Sequence, residues 1–406
     1  MSKKRHILGA VPDVKPPGGV LFVHETAGRN GAAMQLLHFL RWFKENANRP
    51  FSLALSYDGG IASEFAKLTN IYIAERSHWY PSYIRPTLMT SLGMKKMAQR
   101  AERNEFRRFA APCSPALIYV NAFTSSHVRL VDMLDEDLPL LTHVHEFGNL
   151  FVRQGASSTP RLLARTRRFI ACSCAVKQSL IRNQGVPSDK IDVVHEAIHV
   201  KNAHPGRSRE EVFAELGFPQ DAFLIAGCGR TGWNKGVDIF LQLARVICAR
   251  QPRARFIWLG PGSAWKIPEL RHDARMAGLS EKLIFIDEIP NPLDYFSAAS
   301  LYALPSREDS FPLTCLESAA LGKPIICFAD AGGMPEFVEQ DCGFVVPYLD
   351  TEAMAERIIS LMECPECCEK MGAAARRKVT ERHDVSVAAP RILEIIERTI
   401  AETQST

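Results

Sequence analysis

The stretch Leu304-Pro305-Ser306-Arg307-Glu308-Asp309-Ser310-Phe311-Pro312-Leu313-Thr314-Cys315-Leu316-Glu317-Ser318-Ala319-Ala320-Leu321-Gly322-Lys323-Pro324 decides how this chain is read. It opens at the end of a short apolar run, Leu301 to Leu304, with the length of a buried strand. An acidic loop follows, then an apolar-periodic helix over Leu313 to Leu321 closed by Gly322. Pro312 suits the first turn of that helix, where an N–H is unneeded. Strand, loop and helix in this order are half of a βαβ unit, and such units build parallel sheets covered on both faces. Asp309 and Glu317 stand at opposite ends of the loop-to-helix passage. Glu317 follows Leu313 by one turn and shares the face directed back toward the loop. A carboxylate there can accept two hydrogen bonds from a vicinal diol such as ribose. The same pair also reads as a helix cap and a solvated glutamate.

The rhythm continues in both directions. Phe223–Cys228, Phe256–Gly260, Leu283–Ile286, Pro324–Phe328 and Phe344–Val346 read as further strands, with helices over Gly236–Ala249 and Thr351–Met362. Upstream, Val20–His24, Phe51–Ser56, Ile71–Ala74, Ala116–Val120, Leu138–His143, Phe169–Cys172 and Ile191–His195 read as strands. Helices are expected over Gly31–Phe43, over about Ser125–Leu134 and from near Ser173. The polar segment His199–Glu210 is the best linker. The chain therefore divides into two successive doubly wound α/β units, residues 1–200 and 201–382, followed by a last helical stretch in 383–406. In open parallel sheets ligands bind beyond the carboxyl ends of the strands, so two such units face to face enclose a cleft.

The composition permits this. The chain has 406 residues, 46% hydrophobic and 23% charged, enough for two cores. No run of 18 apolar residues occurs, and prolines at 12, 16 and 17 break the stretch after the basic start, so a cytoplasmic location is expected. A net charge of +4 does not argue for nucleic acid. Most of the 11 cysteines lie in apolar runs and read as buried thiols. Cys364-Pro365-Glu366-Cys367-Cys368 stands apart, as half of a zinc site, a local redox pair or an inert helix start. Residues 76–108 carry eight basic and two acidic residues interleaved with aromatic and aliphatic ones. That pattern reads as a surface for an anionic membrane or acidic acceptor, peripheral on the inner face of the cell membrane, or as a packed helix with a solvated basic face.

The residues after the strands carry the chemistry. Gly227-Cys228-Gly229-Arg230-Thr231-Gly232-Trp233-Asn234-Lys235-Gly236 sets Arg230 and Lys235 beside a helix start, where free N–H groups and the helix dipole favour phosphate. It has neither P-loop nor dinucleotide-fold spacing. Gly260-Pro261-Gly262 follows the next strand and can approach a base or phosphate. Ala331-Gly332-Gly333-Met334-Pro335-Glu336 permits another close approach. In the first unit, Glu25 to Ala33 joins strand to helix and includes Asn30-Gly31. His143-Val144-His145-Glu146 ends a strand, and offers hydrogen bonds to a sugar or ligands to zinc.

In that order these segments resemble the retaining nucleotide-sugar glycosyltransferases of the GT-B fold with a Glu-x7-Glu motif, a family-four-like group. The resemblance covers nearly the whole chain and is strongest from Gly227 to Gly343. It implies two Rossmann-like domains facing across a cleft, with a final helix crossing back to the first. Arg230 and Lys235 would bind the donor diphosphate and Glu317 the ribose. Asp309 and His145 would stand at the transferred sugar as the catalytic pair. Asn30, Gly31, Gly260, Ser310, Phe311 and Leu313 would line the donor site. No metal or other cofactor is implied beyond a UDP- or GDP-linked donor, and the acceptor would be a glycan or lipid-linked hydroxyl. The resemblance also admits a phosphorylase-like enzyme or an inactive sugar-nucleotide-binding protein. The chain departs from the family pattern at four places: Asp309 for glutamate, Ser310 and Pro312 for glycines, Asn30 for glycine, and Glu196-Ala197-Ile198-His199 where Asn-Gly-x-Asp is common.

Overall fold

The computed structural model describes residues 18–75, 95–123, 125–134, 137–149, 159–262, 265–287, 289 and 291–404. Seven parallel strands form the first sheet: β1 (Gly19–Thr26), β2 (Phe51–Tyr57), β3 (Ile71–Glu75), β4 (Pro115–Asn121), β5 (Leu140–Val144), β6 (Thr166–Ala171) and β7 (Ile191–Val193). Their order is β3-β2-β1-β4-β5-β6-β7. Six more form the second: β8 (Phe223–Cys228), β9 (Ala254–Leu259), β10 (Leu283–Ile286), β11 (Leu301–Leu304), β12 (Ile325–Phe328) and β13 (Gly343–Val346), in the order β10-β9-β8-β11-β12-β13. Both sheets reverse direction of winding beside their first strand. The two switch points, β1/β4 and β8/β11, open crevices at the carboxyl ends, where ligands of doubly wound sheets sit. The chain is thus two Rossmann-like domains facing across a cleft, the GT-B arrangement.

The central strands are apolar throughout because helices cover both faces. Val20, Leu21, Phe22 and Val23 in β1 are fully buried. The helix Gly31–Asn46 turns Leu36, Leu37, Leu40 and Phe43 onto this sheet. Asn30 starts that helix as its N-cap, its side-chain oxygen accepting from Ala33 N at 2.9 Å.

The last helix, Val385–Gln404, packs against the helix Gly31–Asn46 and strands β4 and β6 of the first domain. Val385, Ile392, Ile395, Ile396 and Ile400 are buried there. Each such side chain contributes about 1.5–3 kcal/mol, against roughly 0–1 kcal/mol for an exposed ion pair. The apolar face therefore holds this helix more than Arg168–Glu402 (2.8 Å) and Arg398–Asp192 (2.6 Å) do.

Of the basic segment, residues 76–94 lie outside the described residues. The rest forms the helix Lys95–Ala110. Phe106 anchors it in the core, while Lys96, Arg100, Arg103, Arg107 and Arg108 are exposed. Among the cysteines, Cys364 and Cys367 are joined in a disulfide at the start of the helix Pro365–Arg382, so the pair is a local covalent link in this structure. Cys113, Cys172, Cys248, Cys315, Cys327, Cys342 and Cys368 are buried thiols. No described helix is long and apolar enough to cross a membrane.

Candidate active site

Three glycines draw the second domain's strand ends together. Gly236 has φ +68°, and a Cβ on it would overlap the carbonyl oxygen of Pro305. This brings the start of the helix Val237–Arg250 against the loop after β11. Gly260, at φ +137°, packs on the Gly229 backbone in the same way, and Trp258 Nε1 donates to Gly229 O at 2.9 Å. Gly332, at φ +140°, lies against the backbone of Asp309, whose N–H donates to Ala331 O at 2.8 Å.

The side chains around this crevice differ in how much of their bonding capacity is free. Arg230 is exposed and makes no ion pair among the described residues. Lys235 Nζ is paired with Asp309 Oδ2 at 2.7 Å, and Ser306 Oγ adds a bond to the same oxygen at 3.2 Å. Burial would lower the Lys235 pKa, but the charge and hydrogen bond of Asp309 more than offset it and raise it. Lys235 is therefore a cation at neutral pH. Glu317 stands one turn into the helix Leu313–Ala320, and burial pushes its carboxyl up to about 7. No described group donates a hydrogen bond to it.

The remaining sequence-based donor candidates fall into two sets. Gly31 is open, with nothing within 4 Å of where a Cβ would stand. Leu313 opens its helix after Pro312, and Ser310 is half-buried in the loop beside Asp309. The Asn30 side chain, by contrast, is engaged in capping. The Phe311 ring is buried in the seam between the domains, 5.1 Å from the His195 ring and stacked on His383 at 5.3 Å. Arg307 is bidentate to Asp238, at 2.9 and 2.7 Å.

Across the cleft, His145 sits just past β5. Its Nδ1 is 2.6 Å from Glu196 Oε1, and its Nε2 is 3.0 Å from Asn121 Oδ1. Asn121 ends β4 and donates from Nδ2 to Ala32 O at 3.0 Å, tying the histidine to the first helix start. Burial opposes the charge on His145, but Glu196 and then Glu146 outweigh it and raise its pKa. The neighbouring histidines are different. Burial, then the charge of His145, holds His143 well below its ordinary value, and burial takes His24 down to about 4 and His127 to about 3. They stay neutral at physiological pH. His143, His145 and Glu146 do not converge as a zinc set. His143 Nδ1 bonds to Tyr119 Oη at 2.7 Å, and Glu146 folds back onto the His145 N–H at 3.1 Å.

Sequence reading did not mark Asn121 or Glu196 as site residues. Asn121 could have been found, as it is the polar residue at the end of an apolar strand beside the switch point. Glu196 stood out only as a departure from a family pattern. Glu308, next to Asp309, reaches across to the first domain, where both carboxylate oxygens accept from Asn149 N, at 3.1 and 3.0 Å. Glu336 makes a second crossing, accepting from Cys174 N and Ala175 N at 2.9 Å each and pairing with His195 at 2.7 Å.

Two facing Rossmann-like domains with a glycine-lined crevice at the strand ends of the second define a GT-B protein. The two halves also match family models. Residues 29–202 match Glycosyltransferase Family 4, and residues 208–378 match Glycosyl transferases group 1. The chain belongs to this GT-B nucleotide-sugar glycosyltransferase family. A D-inositol 3-phosphate glycosyltransferase of Streptomyces scabiei is 28% identical over 282 residues, which is 64% of this chain and 63% of that protein. The match thus spans less than two thirds of that relative's length. The crystal structure of Anabaena HepE in complex with UDP-glucose superposes with a TM-score of 0.75 at 18% identity, over 94% of this chain and all of HepE. WaaG, a glycosyltransferase involved in lipopolysaccharide biosynthesis, gives a TM-score of 0.69 at 12% identity, over 93% of this chain and 99% of WaaG. These two likenesses concern the fold.

Proposed function

We propose that this protein transfers a glycosyl group from a nucleoside-diphosphate sugar to a hydroxyl acceptor, with retention of configuration and without a divalent metal. The observation that carries this is Glu317. It is a half-buried carboxylate to which no described group donates a hydrogen bond, one turn inside the helix that follows the loop of Asp309. That is the arrangement a ribose diol beside a diphosphate requires. As the leaving nucleoside diphosphate gains negative charge, Arg230, Lys235 and the N–H groups at the start of Val237–Arg250 stabilise it. This supply of positive charge is made by the protein alone. Asp309 orients the sugar through its neighbours rather than forming a covalent bond to it.

UDP-glucose is the first donor to test, since the HepE structure holds it. The likeness to a D-inositol 3-phosphate glycosyltransferase and to WaaG suggests a polyol phosphate or an intermediate of lipopolysaccharide biosynthesis as acceptor class. The exposed basic face of Lys95–Ala110 suits either a phosphorylated acceptor or an anionic membrane, and supports a peripheral position on the inner face of the cell membrane.

The test is incubation of the full chain with UDP- and GDP-sugars in EDTA, with product anomers read by NMR. Donor-dependent product of retained configuration supports the reading. Dependence on added divalent metal, or inverted product, overturns it. A second reading, a sugar-nucleotide-binding protein without turnover, is favoured by one observation: the Asp309 carboxylate is occupied by Lys235. It predicts nucleotide binding with no donor consumed.

A further inference from the structure

The bonding around His145 contains an inference that deepens the proposed reaction and rests on it for its catalytic meaning. Nδ1 faces a carboxylate oxygen, so it carries a proton. Nε2 faces Asn121 Oδ1. That amide cannot be turned the other way without cost, because its Nδ2 donates to Ala32 O at 3.0 Å and would be exchanged for a second acceptor there. Nε2 therefore carries a proton too. A histidine with both nitrogens protonated is a cation.

We propose that Glu196 is a positioning residue that holds His145 as an imidazolium, so that His145 serves transfer as a fixed cation and not as a general base. The pair is mutually dependent. Both side chains are nearly buried, 6% and 5% exposed, and Glu196 Oε2 has no hydrogen-bond partner among the described residues. Loss of either charge leaves the other uncompensated in a site of low dielectric. The other groups facing His145 do not replace Glu196. Glu146 bonds to the His145 backbone. His143, whose ring lies 4.1 Å away, and His24 stay neutral. Burial pushes the Cys172 thiol well up, so it is uncharged. A histidine with no free lone pair cannot accept the acceptor's proton, which then passes to the departing phosphate.

The test has an arm that needs no substrate. In the full chain labelled with 15N-histidine, the His145 resonances are assigned by their loss in His145→Asn. Both nitrogens are expected to show imidazolium shifts at pH 7, and a neutral tautomer there overturns the proposal. In Glu196→Gln the partner loses its charge and burial pulls His145 below its ordinary value, so it should titrate to neutral below pH 6.5. Its transfer rate at pH 7 should then fall about tenfold, with Glu196→Asp restoring much of it. Transfer by Glu196→Gln at the unsubstituted protein's rate across pH 6 to 8 overturns the proposal. If no donor is turned over at all, the reaction reading fails while the NMR arm still decides the charge on His145.

Discussion

The two switch points have the same architecture and opposite economies of hydrogen bonding. At β8/β11 the glycines close the backbone up, and Arg230 and Glu317 are left with unused capacity. At β1/β4 the side chains that line the strand ends are each committed through at least one atom to another part of the first domain: His145 to Glu196 and Asn121, Asn121 to Ala32, His143 to Tyr119, Asn30 to Ala33; the atoms left over, Nε2 of His24 and His143 and Oε2 of Glu196, are buried without a partner among the described residues. Open capacity is what a binding site offers to a ligand. Committed capacity fixes geometry and charge. On the proposed function the second domain is therefore the gripping half and the first the rigid wall against which the sugar would react. Lys235 and Asp309 fit neither description cleanly, because they lie in the gripping half and yet are spent on each other.

The sharpest way to break this contrast is Lys235→Ala. If Lys235 stabilises the leaving diphosphate, transfer should fall roughly 100–1,000-fold. The change also strands Asp309, only 9% exposed, and breaking such a buried pair costs about 3–5 kcal/mol at full burial, less here because Lys235 is a quarter exposed. The double variant Lys235→Ala with Asp309→Asn should recover most of the lost melting temperature but none of the transfer. Recovery of both would reduce Lys235 to a structural partner.

Next comes Glu317→Gln. With its carboxyl up at about 7, Glu317 is largely protonated at pH 6 and ionised at pH 8. The ionised form offers both oxygens to the ribose hydroxyls and makes the stronger, charge-assisted bonds, so nucleotide affinity should rise between those values. Glu317→Gln should flatten this rise and cost about tenfold in affinity at pH 8, as expected for a charged hydrogen bond. Stability runs the opposite way. A carboxyl raised above its unfolded value near 4.5 contributes stability fully present below that value and lost as pH rises through 7. The ligand-free Gln variant should then melt above the unsubstituted protein at pH 8 and level with it near pH 4. Calorimetric titration with UDP and with GDP, and thermal melts across this range, check both signs.

How far the sequence carried these conclusions differs between the same two regions. The helices and strands were legible from apolar periodicity, and the glycine loops from their place after strands. The strand order was not, since nothing in Val20–His24 says that it lies between β2 and β4. The open side chains, Arg230 and Glu317, could be marked because each role is local to one loop or one helix turn. The committed ones could not. The Lys235–Asp309 pair joins residues 74 apart, and His145–Glu196 joins residues 51 apart. Such bonds exist only once the sheet order has set β8 beside β11 and has brought the end of β7 under that of β5. Phe311 shows the same limit, since only the docking of the two domains turns its ring onto His383.

Glu336 offers a smaller effect. It is the second domain's contribution to the first, capping the helix Cys174–Gln184 beside Ser173 and pairing with His195. Hydrogen bonds to His195 and to these two N–H groups lower its pKa despite burial. Its contribution to stability is therefore present at neutral pH and is lost as pH falls below the ordinary carboxyl range. Glu336→Ala should cost about 1–2 kcal/mol in denaturant unfolding at pH 7, the range for a lost N-cap, and much less at pH 3. Equal losses at both pH values would mean that packing, not the carboxylate, joins the domains there.

The smallest expected effect tests whether committed capacity can be turned into open capacity. Asn30 spends its side-chain oxygen on Ala33 N, one of the donors at the first helix start. That helix start lies at the β1/β4 switch point, and the neighbouring Gly31 is unobstructed. Asn30→Gly removes the competing acceptor and frees the amide for a donor phosphate. Replacing a good N-cap by glycine costs only a few tenths of a kcal/mol, so the fold should hold. Donor affinity should rise about two- to fivefold, within the roughly 0.5–1.5 kcal/mol net worth of one hydrogen bond. The gain should appear for UDP-glucose and vanish for uridine, which has no phosphate to reach across the cleft. An equal gain for both would place the first helix start against the nucleoside, and no change for either would leave the diphosphate wholly in the grip of the second domain.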